Sequence, residues 1–242
     1  NLLDVHLFNF YLLTITQQQN KKMEKITNQH RSLSDIATDS IRDAIIRGDF
    51  KMGQAVTEAA LSLSLNISKT PVREALSKLE SERLVVSEKN KGYRIFSLTK
   101  QEYIELSELR FALESQALRY GYERDRNGMI EKLEVILKEM EGYLTVSDRE
   151  RYQSLDSDFH HVFFTSCGNE AITNAYSNHQ SVIMATRLRN LKKENVTKHT
   201  SFEQHKALLD KLINENLDEA VNLLESHIVN YARESFIEPE VS

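Results

Sequence analysis

Apolar residues in this chain recur mainly at three- and four-residue steps, the spacing of one face of an α-helix. Leu33, Ile36, Ala37, Ile41, Ala44 and Ile45 predict a helix over 33–47, closed by Gly48. Val56 to Leu65 predicts a second, short helix ending at Asn66. Ser68 is placed to cap a third over Lys69–Glu82, with Val72, Ala75, Leu76 and Leu79 on one face. Pro71 sits in its first turn, where a missing N–H costs little. The pattern then changes. Leu84–Ser87 and Tyr93–Ser97 predict two short strands, joined by the polar turn Glu88–Gly92. Three short helices and a hairpin are the layout of a winged helix-turn-helix.

Beyond Thr99 the helical period runs almost to the end. Thr99 with Glu102 predicts a capping box. Leu106–Ala117 and Ile130–Tyr143 predict two helices. Ser147 with Glu150 predicts a box opening a helix through Phe164, and Gly168-Asn169 breaks the pattern. Ala171–Leu191, His199–Asn214 and Leu217–Phe236 predict three more. The expected fold is mainly α: an N-terminal winged helix-turn-helix over 31–98, then an antiparallel all-α bundle over 99–242. Residues 1–30 are expected to form an extension. Within it, the apolar run Leu7–Ile15 is too short to span a bilayer. It also lacks the basic lead and cleavage site of a signal peptide. The polar stretch starting at Met23 reads as the natural start, with 1–22 as non-native or upstream sequence.

Composition narrows the function classes. Seven Gly and two Pro in 242 residues disfavour a turn-rich β fold. One Cys excludes a disulfide framework and a Cys-based zinc finger, and fits a reducing cytoplasm. A net charge of -5 argues against a bulk polyanion binder until it is divided along the chain. Residues 31–99 hold 11 basic and 9 acidic side chains, a net of +2, whereas residues 100–242 hold 17 and 25, a net of -8. The basic residues of the first part cluster at Lys69, Arg73, Lys78, Lys89, Lys91 and Arg94.

That cluster falls on the third helix and the hairpin. A helix N-terminus offers free N–H groups and a positive dipole end to a phosphate, and Ser68 and Thr70 add hydroxyl donors. Lys69 and Arg73, four apart, share one face that can enter a major groove. Lys91-Gly92 at the hairpin suits a close approach to a phosphate or minor groove. The run Ser68-Lys69-Thr70-Pro71-Val72-Arg73-Glu74-Ala75-Leu76 resembles the signature of the GntR family of bacterial transcription regulators. Ile45-Ile46-Arg47-Gly48, Gly53, Glu58, Leu61 and Gly92-Tyr93 support it. Lys69 replaces the usual Arg and Met52 the usual Pro. The resemblance implies double-stranded DNA as partner, read by Ser68, Lys69, Thr70, Arg73, Lys91 and Gly92. One helix-turn-helix reads a half-site, so a homodimer on a palindromic operator is expected.

The second half carries metal-ligand chemistry. Asp156 and His160 are four apart on one helix face, and His205 and His227 follow on later helices. One carboxylate and three imidazoles suit Zn²⁺, Ni²⁺, Mn²⁺ or Fe²⁺. By spacing alone, isolated surface or core histidines explain the pattern better than four convergent ligands do. Asp156-x-x-Phe159-His160, the Cys167-Gly168-Asn169 turn, Glu203-x-His205 and His227 resemble the FCD domain of the FadR-type GntR subfamily. That resemblance implies a divalent metal held by Asp156, His160, His205 and His227, and a small organic or sugar acid bound beside it. His161 points about 100° away from His160 and reads as surface or packing. Arg110 and Glu114 match the family's Leu-Arg-x-x-Leu-Glu stretch and read as a buried ion pair or as a link to the DNA domain. Arg187 is the candidate carboxylate partner, with Arg189 as second choice. Cys167 reads as a small buried residue. The expected function is a cytoplasmic repressor with no membrane segment and no enzymatic activity. The competing reading is a metal-dependent hydrolase or isomerase acting on a small carboxylate. A nucleoid-type structural role fits poorly with the acidic bundle.

Overall fold

The computed structural model describes residues 31–89, 91–146, 148–193 and 198–235. The chain divides into residues 1–32 and Leu33–Ser242. The expected start at Met23, the capping role of Ser147, the Arg189 side chain and the helix end at Phe236 lie outside the described residues.

The second unit begins with α1 (Leu33–Arg47), β1 (Ala55–Val56), α2 (Glu58–Leu65) and α3 (Lys69–Ser81). Strands β2 (Val85–Glu88) and β3 (Gly92–Ile95) follow. Gly48, at φ 80, ends α1. Its N–H reaches Ile45 O at 3.1 Å and the next N–H reaches Ala44 O at 2.9 Å, satisfying the last turn's carbonyls. The sequence placed Val56 inside the second helix, but it is a strand residue. Ala55 and Val56 pair antiparallel with Arg94 and Tyr93, making a three-stranded sheet of order β1-β3-β2. Thr57 is the true N-cap, its hydroxyl accepting from Ala60 N. Two apolar residues cannot reveal by periodicity that their partner lies some 40 positions away.

The helical half is α4 (Lys100–Gly142), α5 (Arg149–Ser166), α6 (Glu170–Lys193), α7 (Lys198–Ile213) and α8 (Leu217–Glu225). A π-helical turn (Ser226–Asn230) and α9 (Tyr231–Ser235) complete the described chain. The Thr99–Glu102 capping box is present. The two helices expected within 106–143 are present as the two arms of α4, which meet without a loop at a kink at Asp125, where the backbone leaves helical geometry (φ -147, ψ 50). Asp148 caps α5 through Arg151 N. The last expected helix is interrupted by the π turn, and that turn carries His227.

Two apolar cores form. One joins α4, α5, α6, α7 and α8 around Phe159, Phe163, Leu133 and Met140. The other lies under the winged helix, around Ile45, Leu76, Leu79 and Ile95, and it also takes in Val182 and Ala185 of α6. Helix α6 therefore packs on two sides: Tyr176 and Ile183 join the bundle core, while Val182 and Ala185 join the core of the winged helix.

Candidate functional sites: a DNA-reading face and a buried metal centre

Ser68, Lys69, Thr70 and Arg73 all lie exposed at the start of α3, whose opposite face is buried through Val72, Ala75, Leu76 and Leu79. Ser68 is the N-cap but its side chain makes no capping hydrogen bond. Arg73 is held bidentately by Glu58 of α2, Nε to Oε1 and Nη2 to Oε2 at 2.8 Å each. This pair holds the guanidinium beside α2 while its side chain keeps 66% exposure. Lys91 is exposed in the wing. Gly92 has a structural duty that the sequence did not reveal. At φ +91, a Cβ there would stand 2.9 Å from Val56 O, so the β1–β3 pairing requires glycine.

The metal-site candidates come from three elements. Asp156 and His160 project from one face of α5, His205 from α7 and His227 from the π turn. Their ligand atoms all lie within 4.8 Å of one another. His160 Nε2 and His205 Nε2 are 3.2 Å apart, and Asp156 Oδ1 is 3.7 Å from His205 Nε2. Two imidazole nitrogens each about 2.0–2.1 Å from one ion stand roughly 3 Å or slightly more apart, so the spacing fits. Burial lowers the pKa of all three histidines, and their cationic neighbours add to this for His205 and His227. Neutral rings offer lone pairs. His227 Nδ1 donates to Gln204 Oε1 at 2.7 Å, leaving its Nε2 free to bind. Phe159 stacks on His205 with ring centroids 4.3 Å apart, orienting a ring whose Nδ1 is buried without a hydrogen bond. His161 is exposed and lies outside the cluster.

A cavity of about 80 Å³ adjoins these ligands, lined by Tyr103, Arg110, Arg187, Ser201, Gln204 and His227, among others. That is room for several waters or a small acid. Arg187 Nη2 lies against Asp156 Oδ2. Burial first, and the charge of Arg110 second, pull the Arg187 pKa down to about 9. Asp156 and Arg187 also line a larger cleft of about 610 Å³, bounded by α1, α5 and α6. Sequence reasoning missed Gln204, Ser201 and Tyr103 as cavity groups. Gln204 and Ser201 sit on the His205 helix, but nothing in a single sequence separates them from surface polar residues. It also left the role of Arg110 open. Arg110 is buried and paired to Glu114, with its Nη2 unbonded, and it lines the cavity.

Comparison with known proteins agrees with this division. Residues 105–230 match the FCD domain, and residues 33–95 match the bacterial regulatory proteins of the gntR family. The Nta operon transcriptional regulator of Aminobacter aminovorans is 28% identical over 179 residues, covering 74% of this chain and 83% of that protein. The transcriptional repressor NanR of Klebsiella aerogenes is 25% identical over 219 residues, covering 82% and 83%. Among solved structures, a GntR regulator from Rhodococcus sp. RHA1 superposes with a TM-score of 0.70 at 21% identity, covering 84% of this chain and 97% of that one. E. coli McbR/YncC does so with a TM-score of 0.67 at 19% identity, covering 83% and 95%. Among the described residues no helix is long and apolar enough to cross a membrane.

Proposed function

Because the chain belongs to the GntR family of bacterial regulators and carries an FCD domain, we propose that a small organic or sugar acid controls its DNA binding from a metal-containing cavity in the helical half. The DNA-binding regulatory role itself follows from the family; its relatives are regulators, not enzymes. The observation that carries the sensing half is the convergence of Asp156, His160, His205 and His227 beside a cavity containing two arginines. A bound divalent ion would supply a Lewis-acidic anchor for a carboxylate. Arg187, and Arg110 through its unbonded Nη2, would orient that carboxylate and neutralise it.

The reading extends to the operator. The chain would bind a palindromic site as a homodimer through Ser68, Lys69, Thr70, Arg73 and the Lys91-Gly92 wing, and repress until the acid arrives. The sequence suggested the helix of Arg110 as the relay between the halves. The contacts favour α6, which brings Arg187 to the cavity while Val182 and Ala185 pack into the DNA-reading core. A ligand shifts the equilibrium only if it binds the two states differently, and an acid that repositions Arg187 would do so by moving α6.

The test is operator binding by the metal-loaded protein, titrated with a panel of small carboxylates. Release by at least one acid, lost in Arg187→Met and in His227→Ala, is the expected result. Operator affinity indifferent to every acid and to metal removal would overturn the sensing reading.

A further inference from the structure

The role of Glu114 is not explained by the function above. It is fully buried, the fifteenth residue of a helix that otherwise contributes a cavity wall. Arg110 Nε donates to its Oε1 at 2.6 Å. A plain counter-ion to Arg110 would need no more than that. The other oxygen, Oε2, stands 2.7 Å from His160 Nδ1, in a contact bent away from a linear hydrogen bond. Both side chains there are completely buried. On the far side of the same ring, His160 Nε2 faces His205 Nε2 at 3.2 Å. A carboxylate against Nδ1 retains the proton on that nitrogen and leaves the Nε2 lone pair for an ion. With Arg110 donating to Oε1, the ionised carboxylate still has Oε2 as an acceptor for the ring N–H.

We propose that Glu114 is a positioning residue of the metal centre, fixing His160 as the Nδ1–H tautomer with Nε2 aimed at the ion. Arg110 in turn fixes Glu114. The inference rests on the metal reading only in its affinity arm, because the tautomer exists in the metal-free protein. Glutamine at 114 has one acceptor oxygen where glutamate has two. Arg110 is always a donor and takes that oxygen, which turns the amide NH₂ toward His160. The ring must then present an unprotonated Nδ1, and its proton moves to Nε2, where it blocks ligation.

The experiment uses the full chain and Co²⁺ as the probe ion. In the metal-free wild type, the ¹⁵N chemical shifts of His160 are expected to report a single Nδ1–H tautomer, and in Glu114→Gln the Nε2–H form. Co²⁺ affinity is expected to fall about 10–100-fold in Glu114→Gln. Replacing the arginine as well, Arg110→Met with Glu114→Gln, frees the amide oxygen for His160 and is expected to restore part of that affinity. Arg110→Met with Glu114→Met has no acceptor and should not be restored. This neutral pair keeps the comparison available if Glu114→Gln alone fails to fold. Equal Co²⁺ affinity in the two double variants, or mixed His160 tautomers in the wild type, would overturn the proposal. If wild type binds no Co²⁺, the metal reading fails, and the tautomer shifts alone decide the role of Glu114.

Discussion

Ser181 Oγ donates to Glu82 Oε2 at 3.0 Å, joining helix α6 of the bundle to the residue that closes the recognition helix α3. The same carboxylate grips Arg42 of α1 through two bonds of 2.7 and 2.6 Å. Three elements thus meet on one half-buried carboxylate: the first helix of the reader, the end of the recognition helix, and the helix that bears Arg187.

That junction predicts an uncoupling variant. Ser181→Ala removes one hydrogen bond to a charged acceptor, a loss of about 1.5–3 kcal/mol in global stability. Its larger effect should be on response: operator affinity near wild type, with less release by an active acid. Chemical denaturation and operator titration on the same preparation separate the two effects. Undiminished release would show that α6 does not signal through Glu82.

The same carboxylate predicts a pH signature. Burial would raise the Glu82 pKa, but the Arg42 bond and charge prevail and lower it below 4.5. A depressed carboxyl stabilises the fold above its unfolded value, and that contribution is lost as pH falls through the folded pKa. The stability gap between wild type and Glu82→Gln should therefore be flat near neutrality and close as pH drops below about 4.5. A gap independent of pH would mean that the pair contributes nothing through its charge.

Metal removal should destabilise the helical half. An ion present at 100 times its Kd adds about 2.7 kcal/mol, which for a chain of this size raises Tm by roughly 5–10 °C. Zn²⁺ or Ni²⁺ should raise the Tm of chelator-stripped wild type by this order, and His205→Ala should abolish most of the rise. Calorimetry with and without ion checks it.

On the DNA face, Lys91→Ala should weaken binding to all sequences alike and lower the salt slope of log K by about 1. Arg73→Ala should lower affinity further and also release Glu58 from its bidentate pair. If Arg73 reads a base, discrimination against a mutated half-site should fall by about 1–3 kcal/mol. Salt-dependent fluorescence anisotropy on matched and mutated operators distinguishes the roles.

Gly92→Ala should disturb the wing itself. The added Cβ meets Val56 O at 2.9 Å, and the backbone is at φ +91, so a cost of about 1–3 kcal/mol is expected. Lower Tm together with weaker operator binding would follow from loss of the β1–β3 pairing. A variant as stable as wild type would return Gly92 to the purely DNA-contacting role read from the sequence.

Much of this molecule was legible from local pattern. The helical spacing of Leu33 to Ile45 and of Val72 to Leu79, the Thr99–Glu102 box and the Gly168-Asn169 break each arise from interactions within a few residues, so the chain declares them directly. The four ligand types were legible as well, because Asp156 and His160 share a helix face and because the later histidines complete a family pattern. Other features depend on partners distant in sequence. Val56 became a strand because Tyr93 was there to pair with it, and Gly92 proved indispensable because Val56 O approached it. The kink that joins the two arms of α4, the π turn under His227 and the place of α6 between the two cores were decided by packing between helices. So was the second oxygen of Glu114, which meets His160 across 46 residues of chain. The sequence by itself therefore determined which helices form and which residue types could ligate. Only the tertiary structure decided which side chains meet, because a buried polar group is satisfied by whatever donor or acceptor the fold brings within 3 Å of it.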